Sequence, residues 1–277
     1  MSSPPLDLQG RRTLITGAGS GIGRALALEL AARHGTLALA GRRPEPLAET
    51  ATLVAERGGT AHTITSDLTA DGEPERVVTE AVAALGGLDI LVNNAGNVRA
   101  AALEDIDVAD IRAMIELNLL VPILMTRAAL LHLRAAGAQH GHAALVGIAA
   151  SAGLLGTPFY ATYAATKAGL IRFDEAVRRE LYGSGVHVAT VYPGPADTPM
   201  MATTRAGADL GYRLRPVDQL VAEMIAGLEE RGININTQLP ERRAMEELNA
   251  RDPLAVDASL APKLAQLRAA VSTHRSI

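Results

Sequence analysis

The segment that most restricts the fold is Thr16-Gly17-Ala18-Gly19-Ser20-Gly21-Ile22-Gly23, a glycine-dense run between an apolar stretch, Arg12–Thr16, and a helical pattern, Ile22–Ala32. Glycine permits a tight turn and close approach of the backbone to a ligand, and the helix that follows presents unpaired N–H groups and a positive dipole end. The alternation then continues. Short apolar runs at Thr36–Ala40, Thr60–Ser66, Leu88–Val92, Ala143–Ile148 and Val186–Val191 are separated by helical patterns at Pro46–Arg57, Pro74–Leu85, Val108–Ala136 and Tyr160–Leu181. Near-continuous apolar strands with intervening helices imply a parallel sheet covered on both faces. Right-handed crossovers make such a sheet doubly wound, with ligands at the carboxyl ends of its strands.

The pattern changes after residue 200. Met201–Arg215 reads as a mobile loop, Pro216–Glu230 as a helix with Pro in its first turn, Ile233–Asn236 as a short strand, and Glu241–Ala250 and Ser259–Val271 as helices. The expectation is an α/β chain, with one domain over residues 8–237 and a helical C-terminal extension over 238–277 packed on it. A hydrophobic fraction of 48% in 277 residues is ample for a large core and excludes a disordered chain.

Basic and acidic residues number 26 and 30, with no basic run, which argues against a nucleic-acid partner or a basic membrane-binding helix. Cysteine is absent, so disulfides, thiol catalysis and thiolate metal sites are excluded. His140-Gly141-His142 lacks an evident third ligand, and no metal site is expected. The N-terminal stretch has no apolar core of signal length, and Leu117–Met125, which contains Asn118 and Pro122, is about half a membrane span. A cytoplasmic protein without a membrane partner is expected.

Further motifs follow in order: Asn93-Asn94-Ala95-Gly96 after the fourth strand, Tyr163-Ala164-Ala165-Thr166-Lys167 on a helix, and Pro193-Gly194-Pro195-Ala196-Asp197-Thr198 after the sixth strand. With the TGxxxGxG spacing of Thr16 to Gly23, they resemble the short-chain dehydrogenase/reductase family over about residues 10–200. The resemblance implies a Rossmann fold and a nicotinamide dinucleotide held by Gly17, Gly19, Ser20, Gly21, Ile22 and Gly23. It adds Asp67 and Leu68 at the adenine, Asn93, Ala95 and Gly96 beside the ribose, and Pro193, Gly194, Ala196 and Thr198 at the nicotinamide. It also implies a homo-oligomer, dimer or tetramer, through the long helices near 108–136 and 158–182.

At the end of the second strand no acidic residue stands ready for ribose hydroxyls; Arg42 and Arg43 follow instead. Arg forks onto a phosphate, so NADP(H) is expected over NAD(H).

Tyr163 and Lys167 lie at i and i+4 on one helix face. A neighbouring ammonium stabilises phenolate and should lower the phenol's pKa, suiting Tyr163 to acid/base work on a carbonyl or alcohol oxygen. In a chain whose 26 basic residues are Arg except for Lys167 and Lys263, a Lys here is a chemical choice. The resemblance adds ribose binding by Lys167 and a proton-relay water held by Asn118. One departure stands out. The position thirteen before Tyr163, where the family carries a catalytic Ser, is Ala150, and Ser151 is its neighbour. Alternate side chains of an extended segment face opposite ways, so Ser151 can stand in only if the backbone turns there. Oxidoreductase chemistry on a carbonyl/alcohol substrate is the first reading. A nucleotide-binding protein with little turnover, and a redox-neutral enzyme on the same scaffold, are the alternatives.

Overall fold

The computed structural model describes residues 4–276. Seven strands alternate with helices: β1 (Arg12–Thr16), α1 (Gly21–Ala31), β2 (Thr36–Gly41), α2 (Pro44–Glu56), β3 (Thr60–Thr65), α3 (Glu73–Leu85), β4 (Ile90–Asn93), α4 (Val108–Ile115), α5 (Val121–His140), β5 (Ala143–Ile148), α6 (Ala161–Glu180), β6 (Val186–Tyr192), α7 (Val217–Glu229) and β7 (Asn234–Asn236). Three helices follow: α8 (Pro240–Arg251), α9 (Pro253–Leu260) and α10 (Leu264–Val271). The strands form one parallel sheet in the order β3-β2-β1-β4-β5-β6-β7, the doubly wound Rossmann arrangement expected from the sequence.

Alternation of side chains along the strands feeds two apolar layers. Ile15, Leu37 and Leu39 pack with Leu26 and Leu30 of α1, Leu47 and Val54 of α2, and Met224 and Ile225 of α7. Leu14, Ala38 and Ala40 face the other way, onto Val77 and Val78 of α3, Met125 and Leu133 of α5, and Val177 of α6. A smaller cluster joins Leu267 and Val271 of α10 to Val98, Ala100 and Tyr160, so the last helix packs over the carboxyl end of the sheet.

Two long sequence patterns are subdivided. The run expected as one helix over Val108–Ala136 is α4 and α5 joined by a π-turn, Glu116–Leu120, in which Val121 N–H donates to the carbonyl of Glu116. Pro122 accounts for the widening: it has no N–H, and its ring crowds the carbonyl four residues back, that of Asn118. The whole run Val108–His140 has 33 residues and a most apolar window of mean hydropathy 1.6, long and apolar enough to cross a membrane by length and composition. That differs from the shorter stretch judged from sequence. The pattern has a local cause, since Val121, Met125, Ala129 and Leu133 of this run are buried against the sheet. Toward the C-terminus three helices replace the two expected: Asp252 caps the N–H of Ala255 so that Pro253 opens a separate helix, and Pro262 introduces a tight turn before α10.

The amino ends of the strands are tied by charge. Buried Asp89 accepts from Arg12 Nε at 3.0 Å, Arg12 Nη2 at 2.6 Å and the Arg12 N–H at 2.9 Å, and His140 Nε2 lies 3.2 Å away. Burial pushes the Asp89 carboxyl up, but the Arg12 and His140 contacts outweigh it and hold it below the usual value. This end of the sheet is opposite the ligand-binding end. Asp89→Ala is expected to lower unfolding stability by about 2–3 kcal/mol at neutral pH, with dinucleotide affinity unchanged. A depressed carboxyl stabilises above its unfolded pKa and loses that effect as pH falls. Urea melts should therefore show the gap between wild type and variant closing below about pH 4.

Candidate active site

The chain leaves β1 and β4, neighbours in the sheet, in opposite directions, which opens a crevice at their carboxyl ends. Thr16 joins the two strand ends: its Oγ1 donates to the Val92 carbonyl at 3.3 Å and accepts from the N–H groups of Asn94 and Ala95, each at 3.0 Å. Asn94 Nδ2 returns the contact, donating to the Thr16 carbonyl at 2.8 Å. Beyond Thr16, Gly17 has φ +67° and Gly21 φ +53°. A Cβ on Gly23 would lie 2.4 Å from the Gly17 carbonyl oxygen, so only glycine lets α1 begin this close to the turn. The N-cap residue of α1, Ser20, makes no side-chain cap, and no acid stands in the first turn. Its N–H groups and dipole are left for an anion, and this uncapped end fits a dinucleotide diphosphate.

The crevice widens into a cavity of about 740 Å³. It brings together most of the residues singled out from sequence: Gly17, Gly19, Ser20, Gly21, Ile22, Arg42, Arg43, Asp67, Leu68, Ala95, Gly96, Ser151, Tyr163, Lys167, Pro193, Gly194, Ala196 and Thr198 all line it. Arg42 and Arg43 are exposed there and carry no ion pair or hydrogen bond among the described residues, which leaves both guanidinium groups available. Asp67 accepts from the N–H and Oγ1 of Thr69 in a local turn.

Gly23, Asn93 and Asn118 do not line the cavity. Gly23 serves by packing. Asn93 is buried and turns toward α5, donating to Thr126 Oγ1 at 3.0 Å; at the end of an alternating strand it faces the helix layer, and its neighbour Asn94 lines the cavity instead. Asn118 is fully buried: Oδ1 accepts from the Asn97 N–H at 2.8 Å, and Nδ2 donates to the Asn97 carbonyl at 2.9 Å and to Thr166 Oγ1 at 3.3 Å. Its side chain is occupied by the backbone. Its main-chain carbonyl has no α-helical donor, because the residue four ahead is Pro122.

Tyr163 and Lys167 share the inner face of α6. Lys167 is buried and donates from Nζ to the Ile148 carbonyl at 2.9 Å, with the ammonium 5.8 Å from the centre of the Tyr163 ring. Burial lowers the lysine to about 8, while Asp174 pulls the other way. Tyr163 goes opposite to the sequence expectation: burial, with a smaller contribution from Tyr212, pushes its phenol above the ordinary value. One of the three ammonium N–H groups goes to Ile148 and none to the phenol, which burial keeps protonated. Behind this pair, buried Asp174 accepts from Thr190 Oγ1 at 3.0 Å; burial raises its carboxyl to about 7. Its carboxyl fills the space above Gly147, where a Cβ would meet Asp174 Oδ2 at 2.0 Å.

The backbone break that Ser151 needs is present. Ala150 is extended, with φ −169° and ψ 162°, and Ser151–Gly153 then form a tight helical turn, so Ala150 and Ser151 both line the cavity. Gly153 lets this turn lie against α6, since a Cβ there would stand 2.8 Å from the Lys167 backbone.

On one wall the sequence points to the segment 195–215 and the C-terminal helices as the place of specificity but names no residue. Tyr212, Arg242, Leu260, Leu267, His274 and Ser276, from the supposed loop and the C-terminal extension, line the cavity. Tyr160 OH lies 2.6 Å from His274 Nδ1, and His274 Nε2 lies 2.9 Å from the Met200 carbonyl. These partners are far apart in the chain and leave no local motif.

The short chain dehydrogenase family model matches residues 11–209, and the chain belongs to that family. Ketoacyl reductase HetN of Nostoc sp. is 34% identical over 202 residues, covering 73% of this chain and 69% of that protein. 11-beta-hydroxysteroid dehydrogenase 1A of Arabidopsis thaliana is 38% identical over 190 residues, 68% of this chain; the match spans 53% of that protein, about half its length. A crystal structure of a short chain dehydrogenase from Burkholderia cenocepacia in complex with NADP superposes with a TM-score of 0.73 at 31% identity, covering 83% of this chain and 96% of that one. The relatives are named as oxidoreductases of a family that uses NAD(P), and none of these comparisons favours a protein that only binds nucleotide.

Gly23→Ala is expected to displace the start of α1 and weaken NADPH binding at least about tenfold, since it removes charge-assisted contacts to the diphosphate. Quenching titrations of NADPH fluorescence measure it; an unchanged dissociation constant would contradict the role given to this close contact.

Proposed function

We propose that this short-chain dehydrogenase is an NADP(H)-preferring oxidoreductase acting on a carbonyl/alcohol substrate, with Tyr163 as acid/base. The observation that carries the reading is one cavity with a neutral phenol beside a buried ammonium at one end and an uncapped helix N-terminus flanked by two free arginines at the other. A bound dihydronicotinamide supplies the hydride. The turn from Gly17 to Gly23 and the first N–H groups of α1 hold the diphosphate, and Arg42 and Arg43 fork onto a 2′-phosphate. Asp67 and Leu68 border the adenine, Ala95 and Gly96 allow close approach of the ribose, and the segment from Pro193 to Thr198 holds the nicotinamide.

Lys167 binds the nicotinamide ribose and its charge balances the phenolate left after proton transfer. A phenol kept protonated by burial suits reduction: Tyr163 donates to the oxygen of the carbonyl as it becomes an alkoxide, and accepts the proton in reverse. Ser151 orients the carbonyl in place of the hydroxyl absent at Ala150. Asn118 acts through its main-chain carbonyl, which can hold a water on the way from Lys167 to solvent. Exposed Val108, Ile115, Leu120 and Leu131 on the α4–α5 run support assembly of copies through these helices. A cysteine-free chain with this chemistry fits a cytoplasmic homo-oligomer.

Tyr163→Phe should lower kcat/KM for ketone reduction about 10²–10⁴-fold while NADPH still binds within about twofold of wild type. Steady-state assays beside a binding titration test this, and full activity in the variant would overturn the acid/base role. Wild type should prefer NADPH over NADH. The pair Arg42→Ala and Arg43→Ala should erase most of that preference, about 10–100-fold, by weakening NADPH alone; equal losses for both cofactors would remove the arginines from this role.

A further inference from the structure

Arg242 stands in the first turn of α8, and its side chain lines the cavity on the wall supplied by the C-terminal extension. Its Nη2 donates to Thr157 Oγ1 at 2.9 Å and to the Leu155 carbonyl at 3.3 Å, which fixes the plane of the guanidinium. Nε and Nη1 have no acceptor among the described residues, and no carboxylate pairs with the group. Of the other arginines near this wall, Arg215 pairs with Glu223 and Arg243 donates to the carbonyls of Asn236 and Gln238, while Arg213, beside Tyr212, is exposed and lines the cavity without a side-chain partner among the described residues. Glu246, one turn further along α8, is the acid that faces Arg242, but its two oxygens accept from Asn236 Nδ2 and Gln238 Nε2. Burial accordingly lowers Arg242 below the usual guanidinium range. Glu246 offsets part of this charge from a distance, but no carboxylate meets the free edge of the half-buried guanidinium, and a matching anion there would recover part of the cost of burial.

The surroundings define that anion. Leu239, Leu260, Leu267 and Met200 make the adjacent walls apolar. The acids that line the cavity, Asp67 and Glu116, sit after β3 and in the π-turn, not on this wall. Arg242 bears electrostatically on Tyr212, which leans on Tyr160 with ring centres 6.1 Å apart, and Tyr160 in turn meets Tyr163 edge-on at 6.4 Å. A run of aromatic rings, Tyr212, Tyr160 and Tyr163, thus links the cation to the phenol on the cavity wall. A planar guanidinium with a free edge matches a carboxylate with two parallel hydrogen bonds.

We propose that Arg242 anchors a carboxylate subsite, so that the substrate is a keto or hydroxy acid whose carboxylate is separated from the reacting carbon by an apolar spacer. The subsite presupposes the carbonyl/alcohol reading of the cavity. Two measurements keep the two apart. With NADPH, wild type should reduce 5-oxohexanoate with a kcat/KM about 10–100-fold above that for its methyl ester, mostly through KM. Arg242→Met, which keeps apolar length, should bring the acid-to-ester ratio toward one, and Arg242→Lys should restore part of it. Independently of turnover, hexanoate should bind the wild-type NADP⁺ complex more tightly than hexanamide by calorimetry, and Arg242→Met should abolish the difference. If wild type favours the ester, or binds hexanoate no better than hexanamide, or if Arg242→Met keeps either acid preference, the subsite is wrong. Ester reduction by wild type reports on the carbonyl reading alone.

Discussion

The structure turns on how closely the first helix approaches the first strand. Thr16 ends β1 by joining its oxygen to the N–H groups that follow β4, and Gly23 starts its helix almost in contact with the Gly17 carbonyl. The latch fixes where the crevice opens, and the contact aims the N-terminus of α1 into it. Thr198 packs from above, within 3.3 Å of where a Cβ on Gly21 would stand, so the loop after β6 is set by the same turn. An anion at this point meets backbone groups already positioned, with little ordering left to do.

Much of this half was readable from sequence because its determinants are local. Gly17 to Gly23 are contiguous, Asn94 and Ala95 sit next to the strand they extend, and Tyr163 and Lys167 are one helical turn apart. Where reading failed, the cause was a partner that spacing does not reveal. Asn93 was expected beside the ribose but the strand's alternation turns it to Thr126. Lys167 was expected to lower the phenol's pKa, but burial raises it, and the lysine's hydrogen bond goes to Ile148, nineteen residues away. Asn118 matches the backbone of Asn97 with both ends of its amide. The wall containing Arg242 and His274 arises from contacts such as Tyr160 to His274, across 114 residues, and no short motif encodes it.

The pair Tyr163 and Lys167 also shows how burial redistributes charge. Asp174, Lys167 and Tyr163 run along one side of α6, and burial drives each toward its neutral form: the carboxyl up to about 7, the lysine down to about 8, and the phenol upward. The pull between Asp174 and Lys167 opposes this trend and keeps the ammonium charged over more of the neutral range than burial alone would allow. Gly147 makes the arrangement feasible, because any side chain there would displace the carboxyl.

The family model ends at residue 209, and the wall formed by Arg242, Leu260, Leu267 and His274 lies wholly beyond it. The glycine turn and the Tyr163–Lys167 pair on one side, and this wall on the other, therefore come from separate stretches of the chain. A substitution in the tail can reshape the cavity while leaving the close contact of Gly17 with Gly23, and the helix face that carries Tyr163 and Lys167, as they are.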